Sequence, residues 1–197
     1  MNAKFDELIG SFVGNEIGLC EHFLTMELAK LLQQNLLELD ADERMQPAGI
    51  GNDITKDPLQ KKRGDKIFWL NKESKNIAEL AFLDHVENFI EYLNSTCYTG
   101  INAYEFHYAL YDAGTFYKRH KDQFRNNQDR KYSLISYLND DWIDSDGGAL
   151  MVYGDKKDEK ILPCIRKSVF FKSAELEHEV LVSSRPRMSI TGWLKQV

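Results

Sequence analysis

The sequence predicts a mainly β protein with flanking helices, built as a β-sandwich or jelly roll. Two textures carry that reading. Before residue 99 the apolar residues recur with the 3.6-residue period of helices. After it, short aromatic and β-branched segments alternate with turns at roughly 10-residue spacing. Strands that do not alternate with helices argue against βαβ units, so the helices pack on the outside of a sandwich.

Each element follows from local pattern. Leu28, Leu31, Leu32, Leu36 and Leu37 follow Phe23-Leu24-Thr25 at helical spacing. Residues 40–62 are polar and hold Pro47, Gly49, Gly51 and Pro58, which reads as a long loop. Ile67-Phe68-Trp69-Leu70 is a short strand. Ile77, Leu80, Ala81, Leu83, Val86, Phe89, Ile90 and Leu93 form the apolar face of a second helix. Strands are then predicted at 104–111, 116–122, 132–139, 149–153, 168–171, 179–182 and 187–194. No repeat or Pro/Gly linker divides the chain. A single domain over residues 1–197 is expected, with helical support to about residue 98 and the β core from about residue 99.

Composition narrows the function classes. The 197 residues are 43% hydrophobic and 28% charged, which excludes a disordered, collagenous or coiled-coil chain. No apolar run reaches the roughly 20 residues of a membrane helix. The first residues lack the order of a signal peptide, so a cytoplasmic location and no membrane partner are expected. A net charge of −6 argues against a general nucleic-acid coat. Three cysteines at unrelated spacings give no disulfide framework. A basic run from Lys118 to Lys131, through Arg119, Lys121, Arg125 and Arg130, reads as a solvated loop or, more sharply, as a local pocket for an anionic ligand. Asp140, Asp141, Asp144 and Asp146 lack the spacing and closing Glu of a calcium loop, so they read as an exposed turn. The chain is expected to be a monomer.

The histidines carry the chemistry. His-x-acid triplets occur at His85-Val86-Glu87 and His120-Lys121-Asp122, and about one is expected by chance. Geometry separates them. On a helix, residues two apart diverge, so His85 and Glu87 cannot share an ion. At a strand end, residues two apart face one side, so His120 and Asp122 can. His178, opening a later strand, is the candidate third ligand. Two imidazoles and a carboxylate form the facial triad that binds ferrous iron and leaves positions open. His107 reads as a core residue or as one behind the ligands. Arg187 begins the last strand, whose Arg187, Ser189, Thr191 and Trp193 share one face. A polar stripe turned inward is costly without a partner, and a bound carboxylate supplies one. If the strands of His178 and Arg187 form a hairpin, a short dicarboxylate spans from metal to Arg187.

These residues resemble a known family. The order Tyr111, Gly114, Tyr117, His120-Lys-Asp122, Tyr137-Leu-Asn139, Gly147-Gly148, His178 and Arg187 is similar to that of the 2-oxoglutarate and iron(II)-dependent dioxygenases. It is closest to the prolyl 4-hydroxylases. Arg63-Gly-Asp65-Lys-Ile-Phe-Trp69 and Tyr137-Leu-Asn-Asp-Asp-Trp142 resemble segments of the oxygen-sensing (hypoxia-type) enzymes and their bacterial relatives. The likeness runs over roughly residues 15–194. It implies a double-stranded β-helix, an eight-stranded cupin-like jelly roll braced by two helices. His120, Asp122 and His178 match the iron ligands. Arg187 and Tyr137 match the residues that hold the distal carboxylate of 2-oxoglutarate. Tyr111 matches a pocket tyrosine, and Thr191 and Trp193 match residues lining the pocket. Arg130 resembles an arginine facing a peptide substrate. Arg63 and Asp65 match a mobile loop that closes over it.

The implied reaction uses Fe(II), 2-oxoglutarate and O2, with ascorbate as a candidate reductant. It hydroxylates a prolyl residue at the 4-position and releases succinate and CO2. The implied partner is a protein with a flexible prolyl loop, such as a translation or transcription factor. Against the animal enzymes, the C-terminal helix is expected to be absent, since four residues follow Trp193, and the segment from Tyr111 to His120 is one residue shorter. Open alternatives are an oxygenase acting on another side chain or a small molecule, a cupin-type metal enzyme that does not use 2-oxoglutarate, and a non-catalytic jelly-roll module.

Overall fold

The computed structural model describes residues 2–49, 62–123, 128–154 and 157–197. Three helices come from the first half: α1 (Asn2–Asn15), α2 (Met26–Ala41) and α3 (Ile77–Cys97). Thr25 caps α2 by accepting from Leu28 N–H, and Asn76 caps α3 by accepting from Ala78 and Glu79. Eleven strands accompany them: β1 (Gly18–Cys20), β2 (Gln46–Pro47), β3 (Asp65–Trp69), β4 (Ala103–Tyr111), β5 (Tyr117–His120), β6 (Arg130–Tyr137), β7 (Leu150–Tyr153), β8 (Asp158–Ile161), β9 (Ser168–Lys172), β10 (Glu177–Val180) and β11 (Arg187–Lys195).

The strands form two antiparallel sheets. The larger runs β1-β9-β6-β11-β4-β3-β2, and the smaller runs β5-β10-β7-β8. This is the jelly roll expected. Alternation along the strands assigns the faces. Phe106, Tyr108 and Leu110 of β4, with Met188, Ile190 and Leu194 of β11, join the helices in one core. Ala109, Tyr111, Ile135 and Tyr137 turn the other way and meet Leu150, Val152, Phe171 and Val180 in a second core. The opposite faces of the last strand thus serve two compartments. Gly192 lets β11 approach β4 closely, since a Cβ there would lie 2.2 Å from the Phe106 ring.

Several expectations are corrected. Three helices, not two, brace the larger sheet. The loop expected at 40–62 contains β2, which pairs with β3; residues 50–61 lie outside the described residues. β8 gave no pattern because Asp158-Glu159-Lys160 is charged, as suits an edge strand pairing only with β7. Strand β10 begins two residues before the predicted one and includes His178. It does not form a hairpin with β11: the two strands belong to different sheets, so His178 and Arg187 face each other across the sandwich.

Candidate metal centre

His120 ends β5 and His178 lies directly opposite it on β10. Asp122 follows β5 by two residues. The three offer one donor atom each within 4.8 Å of one another. Asp122 Oδ1 stands 3.5 Å from His120 Nε2 and 3.6 Å from His178 Nε2. Each ring is oriented from behind. His120 Nδ1 contacts the Lys118 carbonyl at 2.7 Å, and His178 Nδ1 the Leu176 carbonyl at 3.4 Å. A carbonyl only accepts, so Nδ1 donates in each ring and Nε2 is the nitrogen left facing Asp122. Tyr117 stacks on His120 with ring centroids 3.6 Å apart.

The ionisation suits a cation. Burial lowers His178 to about 4, against the opposing pull of Asp122, so its imidazole is neutral at pH 7. Burial acts to raise the Asp122 carboxyl. His178, His120 and the Ser133 hydroxyl overcome it and hold the group well below the ordinary carboxylate range. Two imidazole nitrogens and one ionised oxygen are the donor set of a facial triad.

The cluster opens into a cavity of about 810 Å³ between the sheets. Arg187 reaches this cavity from β11 and is 1% exposed. Its Nε donates to Gly148 O at 2.8 Å, and no carboxylate pairs with it among the described residues. Its guanidinium lies 5.1 Å from the ring centres of Tyr111 and Tyr137. Gly148 makes room for it: a Cβ there would come within 3.2 Å of Arg187 Cδ. The Tyr137 hydroxyl is buried without a hydrogen-bond partner. Burial pushes its phenol up to about 12, so it stays protonated and can donate. A buried cation and an unsatisfied donor side by side favour an anion.

The remaining predicted residues are placed variously. Thr191 and Trp193 line the same cavity. Arg130 lines it too. It stacks 3.4 Å above Trp193, pairs with Glu105 at 2.7 Å and donates to the Asp122 carbonyl at 3.3 Å. Arg63 and Asp65 do not form a loop. Asp65 lies in β3, 2% exposed, opposite Tyr111 in the sheet. Arg63 clasps it with two hydrogen bonds of 2.7 and 2.6 Å and covers the Tyr117 ring. His85, by contrast, sits among Phe5 and Phe23 in the helical core.

The basic run is partly neutralised, since Arg119 pairs with Glu177 and Arg130 with Glu105; Arg125 lies outside the described residues. The acidic turn is occupied by Lys30 on Asp140, Lys160 on Asp144 and Arg185 on Asp146. Sequence reasoning gave no site role to Tyr117, Ser133, Trp69 or Glu105. The partners of Ser133, Trp69 and Glu105 are distant in the chain, and only the period-2 alternation of β4 and β6 hinted that Glu105 and Ser133 face inward.

Among the described residues, no helix is long and apolar enough to cross a membrane. Residues 106–195 match the family described as the 2OG-Fe(II) oxygenase superfamily. Among solved structures, a Pseudomonas putida prolyl-4-hydroxylase is 29% identical, with a TM-score of 0.88 over 98% of this chain and 99% of that one. A Trichoplax adhaerens prolyl hydroxylase, solved with a hypoxia inducible factor oxygen degradation domain peptide fragment, is 24% identical. It superposes with a TM-score of 0.87 over 98% of this chain and 89% of that one. A collagen prolyl hydroxylase from Paramecium Bursaria Chlorella virus-1, in complex with 2-oxoglutarate, is 20% identical, with a TM-score of 0.61 over 94% and 98% of the two chains.

Proposed function

We propose that the chain is a 2OG-Fe(II) oxygenase, as the family match over residues 106–195 and the likeness to a prolyl-4-hydroxylase support, and that it hydroxylates a prolyl residue, at the 4-position, in a flexible segment of another protein. One observation supports the cosubstrate above all. A buried guanidinium without a carboxylate partner faces the same cavity as a His-Asp-His cluster. A dicarboxylate with one end for a metal and one for a cation suits that pairing.

His120 and His178 would hold Fe(II) through Nε2, and Asp122 through Oδ1. The iron, when bound, supplies the oxidising chemistry, in which 2-oxoglutarate loses CO2 to give succinate and one oxygen atom enters a substrate C–H bond. The protein's residues do the rest. Arg187 and Tyr137 anchor the distal carboxylate by charge-assisted hydrogen bonds. Ile135, Leu150 and Val180 line the cavity with apolar surface and exclude water. Trp69, His107 and Trp193 form an aromatic wall, with Trp69 and His107 ring centres 4.9 Å apart and His107 and Trp193 5.5 Å apart. That wall suits a compact apolar ring such as the prolyl side chain. Trp69 is 47% exposed, as suits a residue that a peptide would cover. The Trichoplax adhaerens enzyme, a prolyl hydroxylase in complex with a peptide fragment, supports a protein substrate, and the likeness to the Pseudomonas putida enzyme over 98% of this chain supports a single oxygenase domain.

The test begins with anaerobic titration of Fe(II) and 2-oxoglutarate. Oxygen and ascorbate are then admitted with a set of proline-containing peptides, followed by mass spectrometry. Succinate release with a one-oxygen mass gain on proline is expected. Succinate with every peptide unmodified points to a different substrate. No succinate at all removes the 2-oxoglutarate reading and leaves a metal enzyme of another kind.

A further inference from the structure

Asp122 has two oxygens, and they meet different surroundings. Oδ1 faces the two histidine Nε2 atoms. Oδ2 turns away and accepts from Ser133 Oγ at 2.7 Å. Ser133 lies on β6 and is fully buried, as is Ser173, whose Oγ is 2.9 Å from Ser133 Oγ. The direction of this chain is determined. An ionised carboxylate only accepts, so the single proton of Ser133 goes to Asp122. Ser173 must then donate to Ser133. Ser173 is itself pinned, since its N–H donates to Lys131 O and its carbonyl accepts from Gln123 N–H.

We infer that Ser133, oriented by Ser173, is a positioning residue that restricts Asp122 to coordination through Oδ1 alone. The inference rests on the metal reading proposed above. An octahedral shell has six positions. Two imidazoles and a one-oxygen carboxylate leave three, enough for a two-atom chelate by 2-oxoglutarate and one further ligand. If Asp122 bound through both oxygens, only two positions would remain. The Ser133 hydrogen bond occupies Oδ2, and withdrawing it from that bond would leave a buried hydroxyl unpaired. Ser133 therefore keeps a coordination position open without touching the ion or the cosubstrate.

The fold supplies its own control. Ser136 and Ser168 form a second fully buried hydroxyl pair between β6 and β9, 2.7 Å apart, with no metal-cluster residue in it. The experiment measures Mn(II) affinity and 2-oxoglutarate affinity of the Mn(II)-saturated full-length protein, and the absorption spectrum of the Co(II)-loaded form. S133A is expected to weaken Mn(II) binding about 10- to 100-fold, weaken 2-oxoglutarate binding at saturating Mn(II), and change the Co(II) spectrum. S133T, which restores the hydroxyl, recovers all three. S173A leaves the Ser133–Asp122 bond in place and shifts them less, in the same direction; it stands in if S133A does not fold. S136A leaves all three unchanged.

Parent-like metal binding, cosubstrate binding and Co(II) spectrum in S133A would overturn the inference while leaving the metal site standing. The same holds for S173A where it stands in. Losses shared equally by S136A overturn it too, because they mark general loosening of β6. A parent protein that binds neither Mn(II) nor Co(II) overturns both this inference and the metal reading.

Discussion

Replacing Arg187 by Met separates a functional charge from a structural one. The side chain is 1% exposed and has one hydrogen bond, from Nε to Gly148 O, with no ion-pair partner among the described residues. Removing it forfeits that bond, worth about 1.5–3 kcal/mol for a charged donor. It also removes a buried, uncompensated charge, whose burial costs several kcal/mol. Met fills a comparable elongated volume, so the cavity penalty is small. The ligand-free variant should be as stable as the parent or more so, by about 1–2 kcal/mol.

Its cosubstrate binding should move the other way. Loss of the charge-assisted contact weakens 2-oxoglutarate about 10- to 100-fold, with Mn(II) affinity unchanged. Urea denaturation of the metal-free protein measures the first effect, and anaerobic calorimetry with Mn(II) and then 2-oxoglutarate the second. A loss of more than about 2 kcal/mol in the metal-free protein would show Arg187 to be a structural element. Unchanged 2-oxoglutarate affinity would refute the anchoring role.

Three further outcomes follow from the geometry. His107 is buried and neutral, with burial lowering it to about 3; its unfolded counterpart titrates near 6.5, so the stability it confers is complete above about pH 6.5 and falls as pH drops toward 3. H107Q should therefore lose about 3 kcal/mol less than the parent between pH 7 and pH 4 in urea melts, and equal losses would contradict the assignment. D65N leaves Arg63 charged and unpaired over Tyr117, and should cost about 3–5 kcal/mol, read as a lower urea midpoint with an unchanged slope. G192A places a methyl 2.2 Å from the Phe106 ring and 2.3 Å from Glu105 O, so it should cost about 1–3 kcal/mol or more and lower the melting temperature.

Local pattern made α2, α3 and most strands legible, but not α1. Thr25 and Asn76 are capping residue types ahead of apolar runs, and the capped helices α2 and α3 begin directly after them. The inward set of the last strand was readable because period-2 alternation needs no knowledge of the partner strand. Arg187 and Ser189 are 1% exposed, while Met188 and Ile190 join the helical core. Edge strand β8 was not legible, since its charges look like a loop until a neighbour supplies the hydrogen bonds. Nor was β1, whose three residues are too few for a period.

The site divides along the same line. That His120 and Asp122 can serve one ion is a property of a two-residue spacing, and the chain alone determines it. Where His178 and Arg187 lie relative to each other is not. Nine residues of sequence suggested a hairpin, yet strand pairing sends β10 to the small sheet and β11 to the centre of the large one. The same pairing decides that Asp65 is buried against Arg63, and that Ser133 meets Asp122 across eleven residues. Alternation and capping act between neighbours in sequence, so the amino acids specify them directly. Contacts between sheets depend on register and on which strands lie side by side, and only the folded chain settles those.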